Sequence, residues 1–284
     1  MRGERINVIA TMIVAITFGA CSDDDHAATP HPRGTRTAPA TPPEPSYRAV
    51  EVTDTGTISG NVRWQGDLPD PQELEVLVHR EACGPTQPTR ALRVSEQGGV
   101  TDVVVSIDAR RGAELVVPET ALVIDNVGCR FEPHVTLAGV GWPLIFRNSD
   151  EVLHNVHALR DDDTVLDLGL PERGAEVQRS VTVPGPLRLL CDAGHVWQRA
   201  WVHVFEHPYF AVTDERGHFQ IGAVPPGQYT LRVWHEGWRM VGRRAGRPRW
   251  SNPVVLSRSV SVTTEQETTV DFELSTQSAE IAGD

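Results

Sequence analysis

Cys191 and His195 stand four residues apart in "LLCDAGHVWQRAWVHV", Gln198 follows three further on, and His154 lies upstream in "FRNSDEVLHNVHA". A thiolate, two imidazoles and a weak oxygen donor are the set that holds a mononuclear type 1 copper ion in electron-transfer sites. Thiolate and imidazole together suit both Cu(I) and Cu(II), so such an ion changes charge with little rearrangement around it. Two blander readings of Cys191 stand beside this one. A lone cysteine is most often a small buried hydrophobe, and a cysteine near a histidine can be a nucleophile. The nucleophile reading lacks an orienting third group and an oxyanion site, and no G-x-S-x-G, phosphate-cradling loop or dinucleotide fingerprint is present. An enzyme is therefore not expected.

The remaining histidines fit the site less well. His157 is three residues after His154, so on a strand it faces the other way. His134 is expected to pack, and His203, His207, His218 and His235 to be surface or satisfied core residues. A zinc site is weakly supported, because CxxC spacing is absent and the one HxxxH, His203 to His207, lies in a chain without long helical periodicity.

The chain opens "MRGERINVIATMIVAITFGACS". Arg2 and Arg5 precede an apolar run, Ile6 to Ala20, too short for a comfortable membrane span. Phe18-Gly19-Ala20-Cys21 resembles the lipobox of bacterial lipoproteins, with Phe18 in place of the usual leucine. The resemblance implies a signal over 1–21, a lipid on Cys21 and attachment to a membrane. An ordinary cleaved signal and an uncleaved anchor are the alternatives. Each exports the body of the protein, to the periplasm or cell envelope, where disulfides are permitted. Residues 22–49 are rich in Pro, Thr and Ala without apolar periodicity and read as a disordered tether, in which His26 and His31 are solvated.

With Cys21 assigned to lipid, Cys83, Cys129 and Cys191 remain, an odd number that leaves one unpaired. "EACGP" and "VGCRFEP" both look like turns, so pairing Cys83 with Cys129 is preferred, provided their Cβ atoms meet. That pairing leaves Cys191 free.

From about Val50 short runs with period-two alternation follow one another, among them "GTISGNVRWQG", "VTDVVVSID", "WPLIFRNSD" and "LRLLC". A second set begins near His207, with "DERG" and "VPPGQY" as turns. These patterns predict an all-β chain of two sandwiches, 50–206 and 207–275, followed by a polar tail over 276–284. The formal net charge of −12 argues against a nucleic-acid partner. One segment runs against that charge: "WHEGWRMVGRRAGRPRW", which could meet an anionic partner or a glycan through Trp234, Trp238 and Trp250, or simply form a long packed hairpin.

Phe146-Arg147-Asn148, His154-Asn155-Val156, Cys191 and His195 resemble the plastocyanin-type cupredoxins. The resemblance implies a Greek-key sandwich with one copper ion on His154, Cys191 and His195. It also gives Asn155 the task of tying the two ligand loops together, near the backbone of Asp192. The methionine common after "H.W" in such sequences is replaced here by Gln198, which makes an amide oxygen the weak fourth donor. The pattern "G.F.I..VPPG.Y.L", on Gly217, Phe219, Ile221, Val224, Pro225, Pro226, Gly227, Tyr229 and Leu231, resembles the carboxypeptidase regulatory-like, transthyretin-like sandwich. More narrowly, "GC.F.PHV", "NSD..LHNVHA", "C.AGH.W", "HPYFAVTD" and "VPPG.Y.LR.WHE" are similar to exported bacterial proteins that join these two domains. The resemblance implies a lipid-anchored single-electron carrier with a redox partner protein. Two alternatives remain: an envelope binding or structural lipoprotein that contacts carbohydrate or a partner through its second sandwich and has a degenerate copper site, and a copper storage or delivery protein.

Overall fold

A computed structural model describes residues 46–281. The signal, Cys21, most of the tether and residues 282–284 lie outside the described residues. Among those described, no helix is long and apolar enough to cross a membrane.

The first sandwich packs two sheets. One runs in the order Glu176–Ser180, Pro143–Asn148, Leu122–Asn126, Phe131–Glu132. The other runs Asp163–Leu170, His154–Arg160, Gly185–Leu190, Arg199–Phe205, Val135–Gly139. Most neighbours are antiparallel, but Leu122–Asn126 and Val135–Gly139 each join a parallel partner. Alternation along the strands sends Ile124, Phe146, Val156, Leu187, Leu189 and Val202 into one core. His154–Arg160 shows how this places the site: His154, Val156 and Ala158 are buried, while Asn155 and His157 lie on the other face. His157 there bonds Asp192 at 2.6 Å and Thr164 at 2.8 Å, away from His154.

The strands do not divide at Glu206 as the sequence pattern predicts. Gly56–Trp64 pairs with His218–Val224, Glu267–Thr269 and Phe272–Leu274, and Val104–Ile107 lies between Phe210–Val212 and Gly227–His235. The second sandwich is thus built from both ends of the described chain, and its core joins Ile58, Val62 and Val105 to Phe219, Leu231 and Val233. Alternation reveals which face of a strand is apolar, but not which distant strand covers it. The expected polar tail also starts differently, as a short helix over Thr276–Ile281. The "DERG" turn forms as expected. Asp214 accepts the N–H groups of Arg216 and His218, and Gly217 has φ +76 with its Cα against the Val62 carbonyl, where a Cβ would lie 2.2 Å away.

The two sandwiches meet along Arg199–Phe205. Trp201 and His203, on one face of that strand, pack edge-on against Trp234 at 4.9 and 4.3 Å between ring centroids. Beside them Glu236, which directly follows the strand Gly227–His235, is 3 % exposed. It accepts hydrogen bonds from Trp201 Nε1 at 2.7 Å and from His134 Nε2, and forms an ion pair with Arg199 Nη2 at 2.5 Å. Burial alone would raise the Glu236 carboxyl, but Arg199 and His134 outweigh it and bring the pKa down to about 2. Burial lowers His203 to about 3, so its ring is neutral in the fold.

Candidate metal centre

Cys191 directly follows the strand Gly185–Leu190, and His195 and Gln198 occupy the loop that leads into Arg199–Phe205. Those strands pair antiparallel, and His154–Arg160 pairs with Gly185–Leu190 from the other side. Three adjacent strands therefore deliver His154, Cys191, His195 and Gln198 to one end of the sandwich. His154, Cys191 and His195 are 0 % exposed and Gln198 is 1 % exposed, so water is excluded from all four.

The donor atoms converge. Cys191 Sγ lies 3.4 Å from His195 Nδ1 and 3.9 Å from His154 Nδ1, and the two Nδ1 atoms are 3.0 Å apart. Gln198 Oε1 is 3.0 Å from His154 Nδ1. An ion bound at roughly 2.0 Å from nitrogen and 2.3 Å from sulfur needs donor-to-donor gaps of roughly 3.3–3.8 Å. The observed spacings lie within a few tenths of an ångström of that range, so these residues fit a metal ion without rearrangement. Cys129, Asp150 and His154 form a second grouping of ligand-type residues. Cys129 is in a disulfide, however, and Asp150 is otherwise engaged.

Each donor is oriented by a partner. The Asn155 backbone N–H reaches Cys191 Sγ at 3.4 Å, while Asn155 Oδ1 accepts the Asp192 backbone N–H at 3.0 Å, so one residue ties the two ligand-bearing segments together. Gln198 Nε2 donates to Asn126 Oδ1 at 2.9 Å, which fixes the amide so that its oxygen faces the site. His154 Nε2 lies 3.0 Å from Asp150 Oδ2, and Asp150 accepts the backbone N–H groups of Gly128 and Cys129. His195 Nε2 lies 2.9 Å from Nδ1 of His79, an exposed residue whose backbone is left-handed at φ 53. His79 begins the helical turn Arg80–Cys83, and Cys83 is bonded to Cys129. Gln87 Nε2 donates to the Cys83 carbonyl at 2.5 Å, and Trp197 Nε1 to the Cys129 carbonyl at 2.9 Å. The outer nitrogens of both histidines are thus held by residues anchored at one disulfide.

His79, Asp150, Asn126 and Arg247 have no place in the sequence reading. Arg247 Nη2 donates to the Cys191 carbonyl at 2.8 Å and to Asp192 Oδ1 at 3.0 Å. His79 left a trace as a histidine four residues before a cysteine, Asp150 as part of "NSD..LHNVHA" and Arg247 as part of the basic segment, but none of them was marked as touching the site.

Burial sets the protonation of the site. It lowers His154 although Asp150 opposes the shift, and with the neighbouring His154 and His79 it lowers His195 to about 4. Burial also pushes the Cys191 thiol up, against the Asn155 and Ala193 backbone N–H groups. Both imidazoles are therefore neutral and ready to bind at neutral pH, while the thiol must give up its proton to an incoming ion.

Trp234, Trp238 and Trp250 all have partners inside the chain. Trp234 packs on Trp201 and His203, Trp238 on Trp64 and His235, and the ring of Trp250 lies 4.4 Å from the Arg199 guanidinium.

No curated protein sequence matches the chain. Among solved structures it is similar to a reduced amicyanin variant, with 20% identity over 31% of this chain and 85% of that one, at a TM-score of 0.27. It is also similar to a purple cupredoxin from Nitrosopumilus maritimus, with 19% identity over 30% and 99% of the two chains and a TM-score of 0.26. A copper-containing nitrite reductase from Thermus scotoductus SA-01 aligns at 22% identity over 34% and 24%, with a TM-score of 0.28. The family match that the chain carries spans residues 191–275, which match the carboxypeptidase regulatory-like domain.

Proposed function

We propose that this chain is an exported, lipid-anchored carrier of single electrons, with one mononuclear copper ion on His154, Cys191 and His195 and the Gln198 amide oxygen in the weak fourth position. The observation that carries this reading is the convergence of two imidazole Nδ1 atoms on one free, buried thiol. A copper ion at this place would supply a one-electron couple between Cu(I) and Cu(II). The protein's part is to hold the donors still. Asn155 restrains the sulfur and its loop, Asp150 and His79 fix the outer edges of the two rings, and Asn126 locks the Gln198 amide. A frame so braced costs little reorganisation when the charge at its centre changes. Complete burial of the donors also suits electron transfer better than delivery, which requires ligands that an acceptor can reach.

Cu(II) added to the purified protein is expected to give an intense visible thiolate-to-copper band that is absent from Cys191→Ser. Loading should weaken as the pH is lowered, because the thiol proton competes with the ion. A wild-type protein without the band would remove the reading, and a band without a reversible one-electron couple would favour storage or delivery.

Gln198 makes a separate prediction. An amide oxygen is a harder donor than a thioether and favours Cu(II). Gln198→Met should therefore raise the reduction potential, as protein-film voltammetry would show. An unchanged potential would sink the assignment of Gln198 as the fourth donor.

A further inference from the structure

The basic segment that opposes the chain's overall charge folds as a hairpin, Met240–Arg244 with Arg247–Trp250, and forms one wall of a cleft of about 1080 Å³. The facing wall comes from the metal-ligand region and includes Arg188, Asp192, Trp197 and Trp201. Six arginines line the cleft against two aspartates, in a protein whose formal net charge is −12. Both aspartates are already engaged, Asp192 by Arg247 at 3.0 Å and Asp162 by Arg188 at 3.7 Å. Arg199 is matched by Glu236. Arg243, Arg244 and Arg249 are exposed and have no carboxylate partner among the described residues. Even the paired guanidiniums are incompletely used, since Arg188 Nε and Arg247 Nη1 are buried without a hydrogen-bond partner.

We infer that this cleft is a binding site for a small molecule carrying two or more carboxylate or phosphate groups. Clustered like charges repel unless an anion joins them, and the planar guanidinium matches carboxylate and phosphate oxygens two at a time. The volume is that of a small-molecule site rather than a flat contact surface. Trp197, Trp201 and Trp250 in its walls would cover the uncharged part of such a ligand. Arg247 belongs to the cleft and also holds the Cys191 carbonyl, so an occupant would lie one side chain away from the metal loop. None of these observations depends on a metal being bound.

Titration calorimetry of the full chain with citrate and with inorganic pyrophosphate tests the site. At least one anion should bind, less tightly as salt is added. The double variant Arg243→Glu/Arg249→Glu should weaken it about ten-fold or more. Arg179→Glu, on an exposed strand of the first sandwich, should leave binding unchanged. In the wild-type protein the indole N–H resonances of Trp201 and Trp250 should shift during the titration while that of Trp238, outside the cleft, stays in place. Absence of heat with both anions would overturn the proposal, as would equal affinity in the double variant or shifts that miss Trp250. Binding of poly-L-glutamate with neither small anion would overturn it in favour of an acidic polypeptide partner.

Discussion

Glu236→Ala is expected to lower the stability of the protein by about 3–5 kcal/mol, the cost of leaving buried charges unpaired. Among the described residues Glu236 is the only carboxylate paired with Arg199, and it also accepts from Trp201 and His134. Removing it strands a buried guanidinium, an indole N–H and an imidazole at the junction of the two sandwiches. Urea denaturation at neutral pH measures the effect, and a loss below about 1 kcal/mol, the scale of an exposed ion pair, would contradict the account. The pH dependence has a definite sign. The folded pKa of Glu236 is depressed to about 2 from an ordinary value of 4.5. Its stabilisation is therefore fully present above about 4.5 and disappears as pH falls through about 2, because the unfolded chain binds the proton first. The gap in stability between wild type and Glu236→Ala should narrow over that window.

The second large effect is expected from the double variant Cys83→Ser/Cys129→Ser. The crosslink joins residues 46 apart in sequence, and the chain-entropy model assigns a loop of that length about 4 kcal/mol. The loss should not be confined to stability. His79 and the Gly128–Cys129 turn hold the outer nitrogens of His195 and His154, directly and through Asp150, and both are anchored at this disulfide. Metal release from the double variant, followed with a chelator, should be faster than from wild type. An unchanged denaturation midpoint would contradict the first expectation, and unchanged release would show that the disulfide does not brace the site.

How much of this was legible in the sequence depended on distance along the chain. Cys191, His195 and Gln198 share one loop, and alternation along a single strand distinguishes His154 from His157, so local spacing was enough to propose the donor set. The partner that aims Gln198 is Asn126, 72 residues away, and the residue against His195 is His79, at a separation of 116. No pattern in either neighbourhood marks those contacts. The same limit displaced the domain boundary. Gly56–Trp64 and Val104–Ile107 read correctly as strands, but their partners lie beyond residue 206, and a strand's own alternation does not name its neighbour. The arginines of the hairpin were visible as composition, whereas the cleft they form with the Cys191–Gln198 loop arises only when the two sandwiches pack.

The central claim is that one sulfur and two histidine nitrogens bind a single copper ion. X-ray absorption at the copper edge, on protein loaded with one equivalent, tests it most directly. The account predicts a first shell of one sulfur and two nitrogen scatterers, with the sulfur lost in Cys191→Ser. A shell of nitrogen and oxygen alone in the wild-type protein would contradict it.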